Sequence, residues 1–367
     1  MEAYIGNFGP FRNRNYMQTT ERSSRLVATW LLIGVGMTVI QIALGGITRL
    51  TGSGLSITQW DVITGSLPPL NEQQWMAEFE KYRQTPQFHL LNFDFTLSDF
   101  KFIFFWEWFH RLWARTIGLV FAVGFGYFLV RKQFRKEMVQ PLLALFFLGA
   151  LQGAIGWIMV ASGLTGDAVY VQPTKLALHF IFALGLLSYT FWFALQLLVP
   201  NTQRIQNSSL RKWNIGILLL LVIQLLYGAL MAGHKAATVA PTWPTINGQW
   251  IPDRLMTDQS VGLNLVNNTI LIHFIHRGLA YLLCILIVVW SIKLFKTNGS
   301  AFFHKTSRLP LLIVLVQIVL GIGSVLTSSG IIPGHWGAFE WMAQLHQLTG
   351  MLLLLSLVTT LFIIRRD

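Results

Sequence analysis

Glu107-Trp-Phe-His110-Arg111 stands on one long apolar run of this chain, and His273-Phe-Ile-His276-Arg277 stands on another. Each is followed by one further histidine on a later apolar run, His179 and His346, at intervals of 69 and 70 residues. The same residue types at nearly the same spacing point to one unit used twice. About 20 apolar residues cross a bilayer, and uncharged runs of that length recur around both motifs. Arg25–Arg49 encloses the first, Glu137–Asp167 the third and Lys175–Arg204 the fourth. Lys212–Lys235, Arg308–Glu340 and Glu340–Arg365 enclose the fifth, seventh and eighth. The second, from about Lys101 to Val130, and the sixth, from about Thr269 to Lys293, are the two that carry the motifs and hold charges near one end.

Composition agrees. Hydrophobic residues make up 53% of the chain and charged residues 11%, with a mean hydropathy of +0.54. A soluble domain carries about a quarter charged residues. The expected fold class is therefore an all-α polytopic membrane protein, with eight transmembrane helices arranged as two parallel pseudo-symmetric four-helix bundles. An even number of helices per half makes both halves enter the membrane in the same direction.

The repeat extends beyond the histidines. Gln41-Ile-Ala-Leu-Gly45 on helix one matches Gln224-Leu-Leu-Tyr-Gly228 on helix five, and Gln152-Gly-Ala-Ile-Gly156 on helix three matches Gln317-Ile-Val-Leu-Gly321 on helix seven. Glycines in such positions let helices approach closely. The division is a tail over 1–25, an N-terminal four-helix half over 26–200 with a long outer loop at 49–100, a linker over 201–212 and a C-terminal four-helix half over 213–367.

The net charge of +12 reports topology. Most of the 27 basic residues cluster at the ends that share a side with the N-terminus, among them Arg12, Arg14, Arg131, Arg135, Arg211, Lys293, Arg308 and Arg366. The positive-inside rule then puts both termini in the cytoplasm or matrix, and no nucleic-acid partner is implied. The basic, polar first 25 residues contain no apolar core that would mark a cleaved signal peptide. The single cysteine, Cys284, lies mid-helix, so no disulfide forms within one chain. Outer segments are the elaborate ones. After Pro68-Pro69, Asn71 with Gln74 three residues on reads as a helix start, and Trp75, Phe79 and Tyr82 at helical spacing predict a short amphipathic helix on the membrane surface.

His110, His179, His276 and His346 all enter from the outer side, within the outer third to half of the hydrocarbon layer at about 1.5 Å per residue. Ionisable residues inside spans are costly and by default functional. Imidazole suits iron, and two pairs at matching depth suit two macrocycles, each held between two helices. A lone histidine bonded to a backbone carbonyl is the bland alternative at any one position. Zinc, which takes three protein ligands and a water in catalytic sites, is a competing occupant near His273-x-x-His276. His89 and His304 read as solvated loop residues, and His234 and His335 as residues at outer helix ends.

Glu107 breaks the symmetry, because the repeat has His273 there. One turn before His110, its carboxylate shares that face; buried, it must be paired, protonated or used. Arg111, four residues on, is the obvious ion-pair partner. Arg111, Arg115 and Arg277 are candidates for anionic porphyrin propionates, since guanidinium forks bind carboxylates in pairs.

These features together resemble the haem A synthase family. The specific pieces are Gly45-Gly-Ile-Thr-Arg-Leu-Thr-Gly-Ser-Gly-Leu-Ser, residues 60–69, Glu107-x-x-His110-Arg111, Thr242-Trp-Pro-Thr-Ile-Asn-Gly and His276-Arg277. With no cysteine in its outer loops, the chain is similar to the cysteine-lacking subgroup. The resemblance implies a heme b cofactor on His276 and His346, the substrate heme O on His110 and His179, the product heme A, and a catalytic Glu107. It also implies oxidation of a porphyrin methyl to a formyl group with oxygen from water, an electron acceptor, a haem O synthase (a farnesyltransferase) upstream and a haem-copper oxidase downstream. A bacterial cytoplasmic (inner) membrane is the expected location, with the mitochondrial inner membrane as the alternative. A homo-oligomer is compatible with the sequence and is not selected by it. Two other classes stay open at this level: a dihaem b electron carrier of the quinol dehydrogenase type, and a transporter with parallel repeats.

Overall fold

The computed structural model describes residues 11–59, 67–253 and 255–365, with side chains from Ser24 onward. Most of the motif at 60–69, and the tail ends at 1–10 and 366–367, lie outside the described residues. Among the described residues eight helices are long and apolar enough to cross a membrane, and the chain is an all-α polytopic membrane protein.

Helix α1 (Phe11–Leu50) carries the first span. It starts well before Arg25, where the apolar run begins, because the sequence has neither glycine nor proline from Phe11 to Ile33 to stop it. Two short helices follow, α2 (Glu72–Arg83) and α3 (Pro86–Leu91). Asn71 caps α2, accepting from the Gln74 amide at 2.9 Å, and Gln74 Oε1 accepts from the Leu70 amide at 2.7 Å. The helix forms where the sequence places it, but its apolar face is spent on protein. Phe79 and Tyr82 pack with Phe88 against Phe100, Ile103 and Phe104 at the start of α4 (Leu97–Val130).

Helices α5 (Lys136–Ala161) and α6 (Pro173–Leu198) complete the first four spans. The next two are α7 (Ser208–Gly233) and, after the short α8 (Val261–Asn267), α9 (Thr269–Phe295). The short α10 (Ala301–Thr306) leads into α11 (Leu309–Thr327), and α12 (Ala338–Ile363) closes the bundle. Nine of the twelve α-helices start with a side-chain cap or an early proline, as at Thr96, Asn207, Asn268 and Pro173. The seventh uncharged run, which reaches Glu340, is α-helical to Thr327 and ends in a 3-10 turn at Ser328–Gly330; Pro333 and Gly334, the latter with φ +73°, turn the chain before α12. His89 and His304 sit on the short helices α3 and α10 rather than in loops; His89 is exposed and His304 half-buried.

The central core lies where α1, α6, α7 and α12 meet, with Val35, Ile42, Leu184, Leu187, Leu221 and Leu357 among its residues. Gln344 and Gln347 of α12 donate to the carbonyls of Ala43 and Ile42 on α1, each at 3.0 Å. At the end that carries the termini, β1 (Ile205–Gln206) pairs in parallel with β2 (Ile364–Arg365). Arg211 there holds the carbonyls of Leu361 and Ile364 at 2.9 and 2.7 Å. The opposite end carries the long loops.

Candidate functional site

A cavity of about 1230 Å³ opens inside the bundle and takes wall residues from all eight spans, including His110, His179, His276 and His346. His179, His276 and His346 lie within about two turns of their helix starts, and His110 lies deeper along α4 because that helix begins earlier. The rings of His276 and His346 face each other with centroids 6.3 Å apart and planes at 80°. His110 on α4 and His179 on α6 line the same cavity. The His276 and His346 rings are therefore near neighbours, and all four histidines border one cavity.

Each of the four rings rests on a glycine of the preceding span. A Cβ built on Gly156 would lie 2.8 Å from His179 Cε1, and one on Gly321 would lie 2.8 Å from His346 Cε1. At Gly228 the distance to His276 Cε1 is 3.2 Å, and at Gly45 the distance to His110 Nε2 is 3.3 Å. One turn before each glycine is a glutamine that reaches the same histidine. Gln152 Nε2 is 3.1 Å from His179 Nδ1 and donates to the His179 carbonyl at 3.1 Å. Gln224 and Gln317 approach Nε2 of His276 and His346 at 3.5 and 3.4 Å, and Gln41 donates to the His110 carbonyl at 3.2 Å. The sequence shows these pairs one half against the other. All four share the Gln-x-x-x-Gly spacing, although His110 presents its Nε2 edge where the other three present Cε1.

Glu107 is 2% exposed and lines the same cavity. Its Oε1 pairs with Arg111 Nη2 at 2.5 Å. Its Oε2 accepts from the Ser56 hydroxyl at 2.7 Å and the Ile57 amide at 2.8 Å. A carboxylate offers about four acceptor sites, so three contacts leave room for one more. Arg111 also donates to the carbonyls of Ile57 and Gln59, at 3.2 and 3.3 Å. The glutamate–arginine pair thus clamps the loop after α1, the Gly-Ser-Gly-Leu-Ser stretch, onto α4.

The other half clamps its loop without an acid. Arg277 donates to the Thr242 carbonyl at 2.6 Å and the Thr245 carbonyl at 3.0 Å. Thr242 closes that loop through the Thr245 carbonyl and the Asn247 amide, each at 2.8 Å. Asn247 and Gly248 take φ of +50° and +89°, the left-handed pair that an Asn-Gly hairpin turn supplies. At the position of Glu107 stands His273, fully buried, with neither ring nitrogen hydrogen-bonded among the described residues.

Arg111, Arg115 and Arg277 all line the cavity. So does Arg49, which the sequence alone does not mark, and its Nε makes no hydrogen bond among the described residues. Among the described residues no group of three or more His, Cys, Asp and Glu side chains is placed to hold a bare metal ion. Opposed imidazoles on the wall of a mostly apolar cavity suit iron carried in a macrocycle instead.

The profile of the cytochrome oxidase assembly protein family, COX15-CtaA, matches residues 28–358. The chain is 42% identical to the heme A synthase of Novosphingobium aromaticivorans, over 91% of this chain and 94% of that one. It is 41% identical to the heme A synthase of Paracoccus denitrificans, over 83% and 81%, and 37% identical to that of Flavobacterium psychrophilum, over 93% and 98%.

Proposed function

The chain belongs to the COX15-CtaA family of cytochrome oxidase assembly proteins, and from that premise we propose that it is a heme A synthase. In this reading it is an oxidoreductase that converts a porphyrin methyl group of heme O to the formyl group of heme A within the membrane. A methyl group and a water give a formyl group, with protons and electrons released in equal number. The N-terminal half takes the heme O substrate between His110 and His179. The C-terminal half takes a heme b between His276 and His346. A heme b held there supplies a one-electron carrier for the electrons released.

The observation that carries the reading is one buried acid and four histidines on a single cavity wall, with the His276 and His346 rings 6.3 Å apart. Glu107 lies one turn from His110 and has no carboxylate counterpart beside His276. With one acceptor site in reserve, it can take a proton or balance positive charge at a substituent of the macrocycle bound next to it. Ser56, Ile57 and Arg111 fix the positions of its two oxygens, so the charge is placed before the substrate arrives. Arg49, Arg111, Arg115 and Arg277 offer guanidinium donors to porphyrin carboxylates; a guanidinium has five and can serve a loop carbonyl and a propionate together.

We place both termini on the cytoplasmic side of a bacterial inner membrane, on the basic clusters at that end. A haem O synthase would supply the substrate, and a haem-copper oxidase would take the product. The two halves are read as one duplicated unit, supported by the matching contacts of Gly156 with His179 and Gly321 with His346. The test is to express the protein with a heme O source, extract the pigments and weigh them. Heme A or a hydroxylated heme O is the expected product. Heme b alone would move the assignment to a dihaem electron carrier.

A further inference from the structure

The Gln-x-x-x-Gly spacing has a geometric reason. In an α-helix the carbonyl of residue i accepts from the amide of residue i+4 and keeps a second lone pair. The side chain at i+4 points back toward the N-terminus and covers that turn. A glycine at i+4 therefore bares the carbonyl four residues earlier. At α11 the bared carbonyl belongs to Gln317, and His346 Nδ1 lies 3.0 Å from it. The ring reaches it by lying on Gly321, where a Cβ would stand 2.8, 3.3 and 3.5 Å from Cε1, Nδ1 and Nε2. His179 sits on Gly156 at the same three distances. His276 presents the same Cε1 edge to Gly228 at 3.2 Å, and its Nδ1, 3.8 Å from that Cβ, is buried with no hydrogen-bond partner among the described residues.

We propose that the turns under His346 and His276 are imidazole cradles: the glycine admits the ring, and the bared glutamine carbonyl accepts the Nδ1 proton, so that Nε2 is the nitrogen left to bind iron. Three consequences follow from the one contact: it fixes the tautomer, it fixes ring rotation, and it makes the ligand a stronger donor. His110 and His179 are outside the proposal: His110 turns its Nε2 edge to Gly45 and Gln41 bonds its main-chain carbonyl, and Nδ1 of His179 lies 3.1 Å from the Gln152 side-chain nitrogen. The proposal rests on the haem-ligand reading of the C-terminal half, and its test separates the two.

The test uses the full-length purified protein, with Gly228→Ala and Gly321→Ala compared with the unaltered chain. Haem retention is measured by titration and the haem midpoint potential by spectroelectrochemistry. Loss of an outer-shell partner of a metal-binding histidine typically costs about 10–100-fold in affinity. Both variants are expected to hold haem more weakly by about that factor and to show a raised potential, since a ligand that gives less electron density favours ferrous iron. Gly228→Ala, the milder intrusion, is the variant expected to keep enough haem for the potential to be read. Gln317→Leu, which keeps the carbonyl, is expected to leave the potential close to the unaltered value. Unchanged potential in both alanine variants, with only a lower thermal stability, would mean that the glycines serve packing and would overturn the proposal. Absence of haem from the unaltered protein would instead overturn the ligand assignment beneath it.

Discussion

Ser56 donates its hydroxyl to Oε2 of Glu107 at 2.7 Å, across fifty-one residues of chain. The bond joins the loop that follows α1 to the acidic residue beside His110. Both partners are nearly sealed from solvent, at 2% exposure each, so the serine and the carboxylate have no ready substitute for one another. The loop is therefore part of the site, and its conformation sets where the carboxylate points.

Glu107→Gln is expected to leave both haems bound and to stop conversion of heme O, because the amide keeps the shape and loses the charge. Ser56→Ala is the subtler change. A hydrogen bond to a charged group contributes about 1.5–3 kcal/mol, which corresponds to roughly 10–100-fold in rate if it acts mainly in the transition state. Conversion followed by pigment mass should fall within that range while the haem spectrum stays. Undiminished heme A from Glu107→Gln would remove the glutamate from the chemistry.

Tyr82 supplies a pH dependence outside the spans. Burial pushes its phenol up to about 12, with the Asn92 hydrogen bond at 2.6 Å working against that shift. An unfolded tyrosine titrates near 10. The folded-state value is raised, so Tyr82's contribution to stability is fully present below about pH 10 and is lost as pH rises toward about 12. A tyrosinate absorbance titration should show one late step that Tyr82→Phe removes. If every tyrosine titrates together near pH 10, Tyr82 is not buried as described.

The seam between the halves predicts its own weak point. A Cβ at Gly46 would meet Gln344 Oε1 and come within 2.9 Å of Gln347 Nε2. Interhelical hydrogen bonds in membranes average about 0.6 kcal/mol, whereas overpacking costs about 1–3 kcal/mol, so the intrusion outweighs the two bonds it displaces. Gly46→Ala should lower the midpoint of thermal unfolding in detergent, and adding Gln344→Ala should restore part of the loss. A midpoint unchanged by Gly46→Ala would show that the seam is looser than the packing implies.

Much of this arrangement is legible in the sequence, for identifiable reasons. Apolar runs bounded by charges mark all eight spans because backbone polar groups must be satisfied inside the bilayer. The pairing of His276 with His346 follows from equal depth and equal spacing, which a repeat makes visible. What the sequence hides is tertiary. The face of α2 that reads as membrane-binding is covered by Phe100 and Phe104, and periodicity cannot say whether lipid or protein covers an apolar stripe. The loop bonds of Arg111 and Arg277 are made to main-chain carbonyls, which carry no residue signature. Arg49 sits inside a recognisable motif, yet its orientation toward the cavity appears only when α1 and α12 are brought together.

The most direct test of the account is a reduced-minus-oxidised spectrum, with haem content, of His276→Ala and His346→Ala beside His110→Ala and His179→Ala. The first two variants should lose the low-spin heme b signal, and the second two should keep it while failing to retain heme O. A heme b signal that survives both C-terminal substitutions at full intensity would contradict the assignment of iron to the facing imidazoles.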